Sequence, residues 1–91
     1  MADKKKKSKV LQLLSETRCD IFFLQETHFR ECPEWPGKAF YAFHSVFSAG
    51  VAILFSQSLQ GEPILIHSSP DGRLCVVDVH MNDSSVRLIN V

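Results

Sequence analysis

The stretch Asp20-Ile21-Phe22-Phe23-Leu24-Gln25-Glu26-Thr27-His28 decides how this chain folds. Ile21 to Leu24 is a continuous apolar run, the pattern of a strand buried on both faces. Just before it, Val10, Leu11, Leu13 and Leu14 line one face of a short helix starting at Lys9 and ending near Thr17–Arg18. Such a helix is too short to persist alone and needs a sheet to pack against. A helix that leads directly into a buried strand is the α-to-β half of an α/β unit.

Outward from there, strands dominate. Cys32 to Gly37 holds two prolines and a glycine and reads as a turn region. Ala39 to Phe43 is an aromatic strand. Gly50 introduces the apolar strand Val51 to Phe55, and Glu62 and Pro63 open Ile64-Leu65-Ile66. Ser68 to Gly72 carries proline, aspartate and glycine in the order a tight turn favours. Leu74 to His80 and Val86 to Val91, on either side of Met81 to Ser84, read as an antiparallel hairpin. The residues thus indicate an α/β fold with a mixed or mostly antiparallel sheet and one helix on a face. Phe22, Leu24, Val51, Ile53, Val77 and Ile89 are expected to be its most buried positions.

Ninety-one residues fit one small domain or a piece of a larger one. Ten lysines and arginines balance ten acids, so net charge predicts neither a nucleic-acid nor a membrane partner. No apolar run approaches the roughly 20 residues of a membrane span. The charged N-terminus lacks the apolar stretch of a signal peptide, which points to a nuclear or cytoplasmic protein. Cys19, Cys32 and Cys75 are odd in number and widely spaced, as free thiols would be. Residues 1–8 form a lysine-rich lead, expected to be disordered, and 9–91 the domain. The lysines are open to three readings: a nuclear-import or DNA-contacting arm, a solubilising tail, or incidental upstream sequence.

The chemistry centres on the end of the first strand, where open α/β sheets place ligands and catalytic groups. A carboxylate at Glu26 would stand on rigid backbone and offer oxygen to a hard cation. Mg²⁺ (or Mn²⁺) accepts one or two protein carboxylates and leaves its other positions to water and phosphate. The plainer reading of Glu26 is a solvated loop acid. Cys19, His28, Cys32 and His44 lack the short paired spacings of a zinc site. Trp35, between Pro33 and Pro36, reads as a turn tryptophan covering the sheet edge in preference to a base-stacking platform. Phe40, Tyr41, Phe43 and Phe47 read as core or half-buried strand residues, since a single-strand binder would interleave them with basic side chains.

At "DIFFLQETH" the chain resembles the endonuclease/exonuclease/phosphatase family, in the form seen in LINE-type retrotransposon endonucleases and their apurinic-endonuclease relatives. Ala49 to Leu54 is similar to the family's "G-G-V-A-I-L" strand, Gly72 to Val77 to its "G-R-x-h-x-V" strand, and Leu88 to Val91 to its "L-x-N-V" strand. The resemblance implies a partial two-sheet α/β sandwich, about half of such a domain. It also implies DNA as partner, phosphodiester hydrolysis, and Glu26 as the metal-holding glutamate, with His28 beside it near a phosphate or in the site's hydrogen-bond network. The family's "N-x-N-G" strand would precede Val10, where lysines stand, and its "Y-A-P" tyrosine and later aspartates, asparagine and histidine are not among these residues. A metal carboxylate without the water-activating base gives at most weak hydrolysis. Two functions follow: an endonuclease-like fragment inactive alone, or a non-catalytic product acting through an exposed sheet edge. Half a sandwich leaves an apolar sheet face uncovered, which predicts self-association.

Overall fold

A computed structural model describes residues 4–25, 35–44 and 49–91, without the side chains of 4–8 and 49. One helix, α1 (Lys4–Glu16), leads to six strands: β1 (Ile21–Gln25), β2 (Ala39–His44), β3 (Ala49–Phe55), β4 (Glu62–Ser68), β5 (Cys75–His80) and β6 (Ser85–Asn90). They form two three-stranded sheets, ordered β1-β3-β2 and β4-β5-β6. Every pairing is antiparallel. The sheets stack face to face, with β1 against β6, β3 against β5 and β6, and β2 against β4 and β5. The fold is a small α/β two-sheet sandwich with one helix.

Side-chain alternation along β3 explains the layering, because successive residues point to opposite faces. Val51, Ile53 and Phe55 join Ala42, Cys75, Val77 and Val79 between the sheets. Ala52 and Leu54 point the other way, into a second core with Leu11 and Trp35. The strand buried on both faces is therefore β3, the centre of its sheet. β1, expected to be that strand, is an edge. Phe22 and Leu24 are half-buried on the helix side, while Phe23 remains 46% exposed.

The helix begins at Lys4, ahead of the expected start at Lys9, taking in Lys4 to Lys7, and stops at Glu16. Lysine is a good helix former, although positive charge in a first turn opposes the helix dipole. Anchoring falls to Leu11, which is buried, and Leu14, which packs beside it. Val10 and Leu13, expected on the same apolar face, are exposed. The Thr17 hydroxyl and backbone N–H both donate to the Leu14 carbonyl, closing the last turn.

Both predicted turns in the second half are present. The Gly72 N–H donates to the Ser69 carbonyl across Pro70 and Asp71. Gly72 itself has φ 75°, the left-handed region where glycine is unstrained. The Ser69 hydroxyl accepts from the Arg73 and Leu74 N–H groups and donates to Asp71. Hydrogen bonding from Ser69 holds the Asp71 carboxyl below its ordinary range. The β5–β6 hairpin closes through the Met81 N–H and the Ser84 carbonyl.

Burial departs from expectation in β6. Val51, Ile53 and Val77 are in the core as expected, but Ile89 is 53% exposed. Inward positions on β6 belong to Leu88 and Asn90, paired with Val77 and Cys75. A one-residue change of parity exchanges the two faces of a strand, and an apolar residue at a β6 outward position looks no different in sequence.

Candidate metal centre at the end of strand β1

Gln25 closes β1, and its backbone leads into Glu26. Glu26 and His28, the two site residues expected from the sequence, lie outside the described residues, as do Cys32 and Phe47. What surrounds the approach to them is described. The Gln25 side-chain amide donates to the Val91 carbonyl at 2.7 Å and meets the Asn90 Oδ1 at 3.5 Å. The Asn90 Nδ2 donates to the carbonyls of Leu24 and Ala52, each at 2.9 Å. The ends of β1 and β6 and the middle of β3, drawn from both sheets, are thus joined by two side-chain amides.

Asn90 escaped the sequence reading, which treated it only as part of a strand. It is 2% exposed and is the buried polar side chain among the described residues. A buried amide is costly unless its groups are bonded, and here both Nδ2 donations are made. The available signal was weak: Val86, Leu88 and Asn90 share one face of β6, but Ile89 on the other face hides which of the two is inward.

Among the described residues, no group of three or more His, Cys, Asp or Glu side chains converges to hold a metal. Gln25 and Asn90 supply neutral amide groups at this end of the strand, both engaged in hydrogen bonds.

Trp35 is in the helix–sheet core, only 6% exposed, packed against the edge strand β1. Its Nε1 donates to the Phe55 carbonyl at 2.9 Å, and its ring meets Phe22 edge to face at 5.6 Å. No open ring face remains for a base. Phe40, Tyr41 and Phe43 are half-buried as expected, with Phe40 edge to face against Phe55.

The opposite end of β1 holds a cleft of about 420 Å³ lined by Arg18, Cys19, Asp20, Trp35, Ser56 and Ser58 among others. There Asp20 accepts from the Ser56 and Ser58 hydroxyls at 2.9 and 3.2 Å, and the Asp20 carbonyl accepts from the Ser56 N–H. These bonds tie the start of β1 to the end of β3, so that carboxylate is engaged in structure. Cys19 is a free, exposed thiol; Cys75 is free and buried, and burial pushes its thiol up.

The chain is 34% identical over 90 residues to the "Transposon TX1 uncharacterized 149 kDa protein" of Xenopus laevis. The match covers 90% of this chain and 7% of that protein. No family model matches the chain. The similarity is therefore to one small section of a transposon protein. No helix among the described residues is long and apolar enough to cross a membrane.

Proposed function

We propose that this chain is a transposon-derived segment of a divalent-metal-dependent phosphodiesterase, a DNA endonuclease of the endonuclease/exonuclease/phosphatase kind, and that it does not cut DNA alone. The observation that carries the reading is the similarity to a transposon protein along nine-tenths of the chain. It is supported by the position of "LQETH", whose first two residues end a strand while the next follows directly.

In this reading Glu26 binds Mg²⁺ (or Mn²⁺), which neutralises charge developing on a DNA phosphate. His28 stands two residues further along the sequence and carries a hydrogen-bonding ring. Neither Gln25 nor Asn90 can serve as the base, because amides do not titrate in the working range and both are engaged. The family resemblance assigns water activation to later segments of such a protein, and this chain spans 7% of its relative.

The test is nicking of supercoiled plasmid with Mg²⁺ or Mn²⁺, by this chain and by a longer protein that includes it. Nicking by the longer protein, lost in Glu26→Gln, is the expected result. Nicking by the 91 residues alone would overturn the claim of inactivity. A longer protein indifferent to Glu26→Gln would overturn the metal assignment.

A second reading, a non-catalytic product that associates with itself, is favoured by one observation. Ile64, Leu65, Ile66, Val86 and Ile89 of the β4-β5-β6 sheet are all between 42% and 53% exposed. Ile64 and Ile89 share the outer face, while Leu65 and Val86 stand opposite the inward Val77 and Val79; exposed apolar side chains of this kind mark contact surfaces. Sedimentation that stays monomeric across a hundredfold concentration range would exclude it.

A further inference from the structure

We propose that Asn90, assisted by Gln25, is the positioning clasp that fixes the end of β1, the stretch of chain that immediately precedes Glu26 in sequence. The inference rests on the reading of Glu26 as the metal carboxylate and identifies what orients it.

Three observations converge. First, β6 belongs to one sheet, whereas Leu24 and Ala52 belong to the other. Face-to-face sheets are held by apolar packing, which has no direction and lets one sheet slide over the other by small amounts. Two hydrogen bonds from one Nδ2 to carbonyls on adjacent strands fix that relation at a single point. Second, that point is the last stretch of β1. Leu24 is two residues from Glu26, and Gln25, the residue between them, reaches back to Val91 and Asn90. Third, β1 is an edge strand paired only with β3 among the described residues. An edge strand end frays more readily than a central one, so it is the place where an added tether matters for a ligand.

Packing alone does not account for the residue. Leu would fill a similar volume between Cys75 and the opposing sheet without any polar group to satisfy. Asn supplies direction in addition to volume, as buried polar networks do when every donor is used. A carboxylate that must meet a metal within a few tenths of an ångström gains from that constraint.

Amide hydrogen exchange of the 91-residue chain, followed by NMR with and without Mn²⁺, tests the inference. Asn90→Leu keeps the core filled and removes both donations. It should accelerate exchange at Leu24, Gln25, Val51 and Ala52 by roughly tenfold, leaving the β4–β5 amides within about twofold. Gln25→Ala, an exposed change that leaves the core intact, should accelerate the same amides by a smaller factor and decides the matter if Asn90→Leu does not fold. In the wild type, Mn²⁺ should broaden signals around Gln25, an effect lost in Glu26→Gln, and both clasp variants should need more Mn²⁺ for it. Unchanged exchange at the β1 end in both variants, or acceleration spread evenly over both sheets, overturns the clasp whatever the metal does. Absence of Mn²⁺ broadening in the wild type overturns the metal reading instead, with exchange still deciding whether the clasp exists. Clasp variants that loosen the strand end yet bind Mn²⁺ as the wild type does would show that Asn90 does not position Glu26.

Discussion

The two sheets are alike in strand number and opposite in cover. The β1-β3-β2 sheet has α1 and Trp35 on its outer face, so β3 is buried on both sides. The β4-β5-β6 sheet has an outer face of mixed character, where Ile64 and Ile89 flank Asp78 and Arg87. Arg87 donates to Asp78 through Nε and a terminal nitrogen at 2.7 and 3.0 Å, a forked pair on the sheet surface. The lesson is that stability is concentrated at one interface. Val51, Ile53 and Phe55 serve both sheets, whereas residues on the outer face of the second sheet serve almost nothing.

That contrast can be broken most directly at Phe55, 1% exposed at the end of β3 and in contact with Phe40. Phe55→Ala should destabilise by about 3–5 kcal/mol, enough to unfold a domain of this size, as urea denaturation followed by circular dichroism would show. An unfolding midpoint close to that of the wild type would mean that β3 is not the shared core.

Gly37 sharpens the same point from the covered side. A Cβ there would collide with the Phe55 carbonyl, the acceptor for Trp35 Nε1. The Gly37→Ala change should cost about 1–3 kcal/mol and shift tryptophan emission to the red as Trp35 meets water. If the emission stays put, the Trp35–Phe55 contact is not what seats that loop.

On the open face the expected effects are small. Ile89→Thr should change stability by less than about 0.5 kcal/mol while reducing any concentration-dependent association. A loss comparable to that of a core residue would show that something covers this face.

The smallest effect concerns Asp78. The hydrogen bond from Arg87, with the charges of Arg87 and His80 adding to it, lowers its carboxyl from the ordinary value of 3.8. A carboxyl lowered in the folded state contributes stability that is present above that ordinary value. The contribution fades as pH falls through the lowered one. Asp78→Asn should therefore be slightly less stable than the wild type at pH 7, and the gap should close in acid and in high salt. A gap independent of pH would assign the effect to packing.

For the site, the sequence supplied Glu26 and His28 through a motif, and included Asn90 only within a family-like strand, with no role of its own. Motifs expose residues that carry chemistry, because carboxylates and imidazoles are conspicuous beside apolar strands. A buried amide is recognisable only when its strand's inward parity is known, and parity depends on which sheet lies opposite.

By itself the sequence determined the order of elements, the tight turn at Ser69 to Gly72 and the hairpin closed by Met81 and Ser84. These depend on local backbone preferences that neighbouring residues settle. The tertiary structure alone decided that β3 and not β1 is central, that Ile89 faces out while Asn90 faces in, and that Trp35 lies under the helix. Short apolar runs such as Ile21–Leu24 and Val51–Phe55 look equivalent along the chain. They become edge or centre only when distant strands choose partners, and that choice is made by the total area buried between sheets.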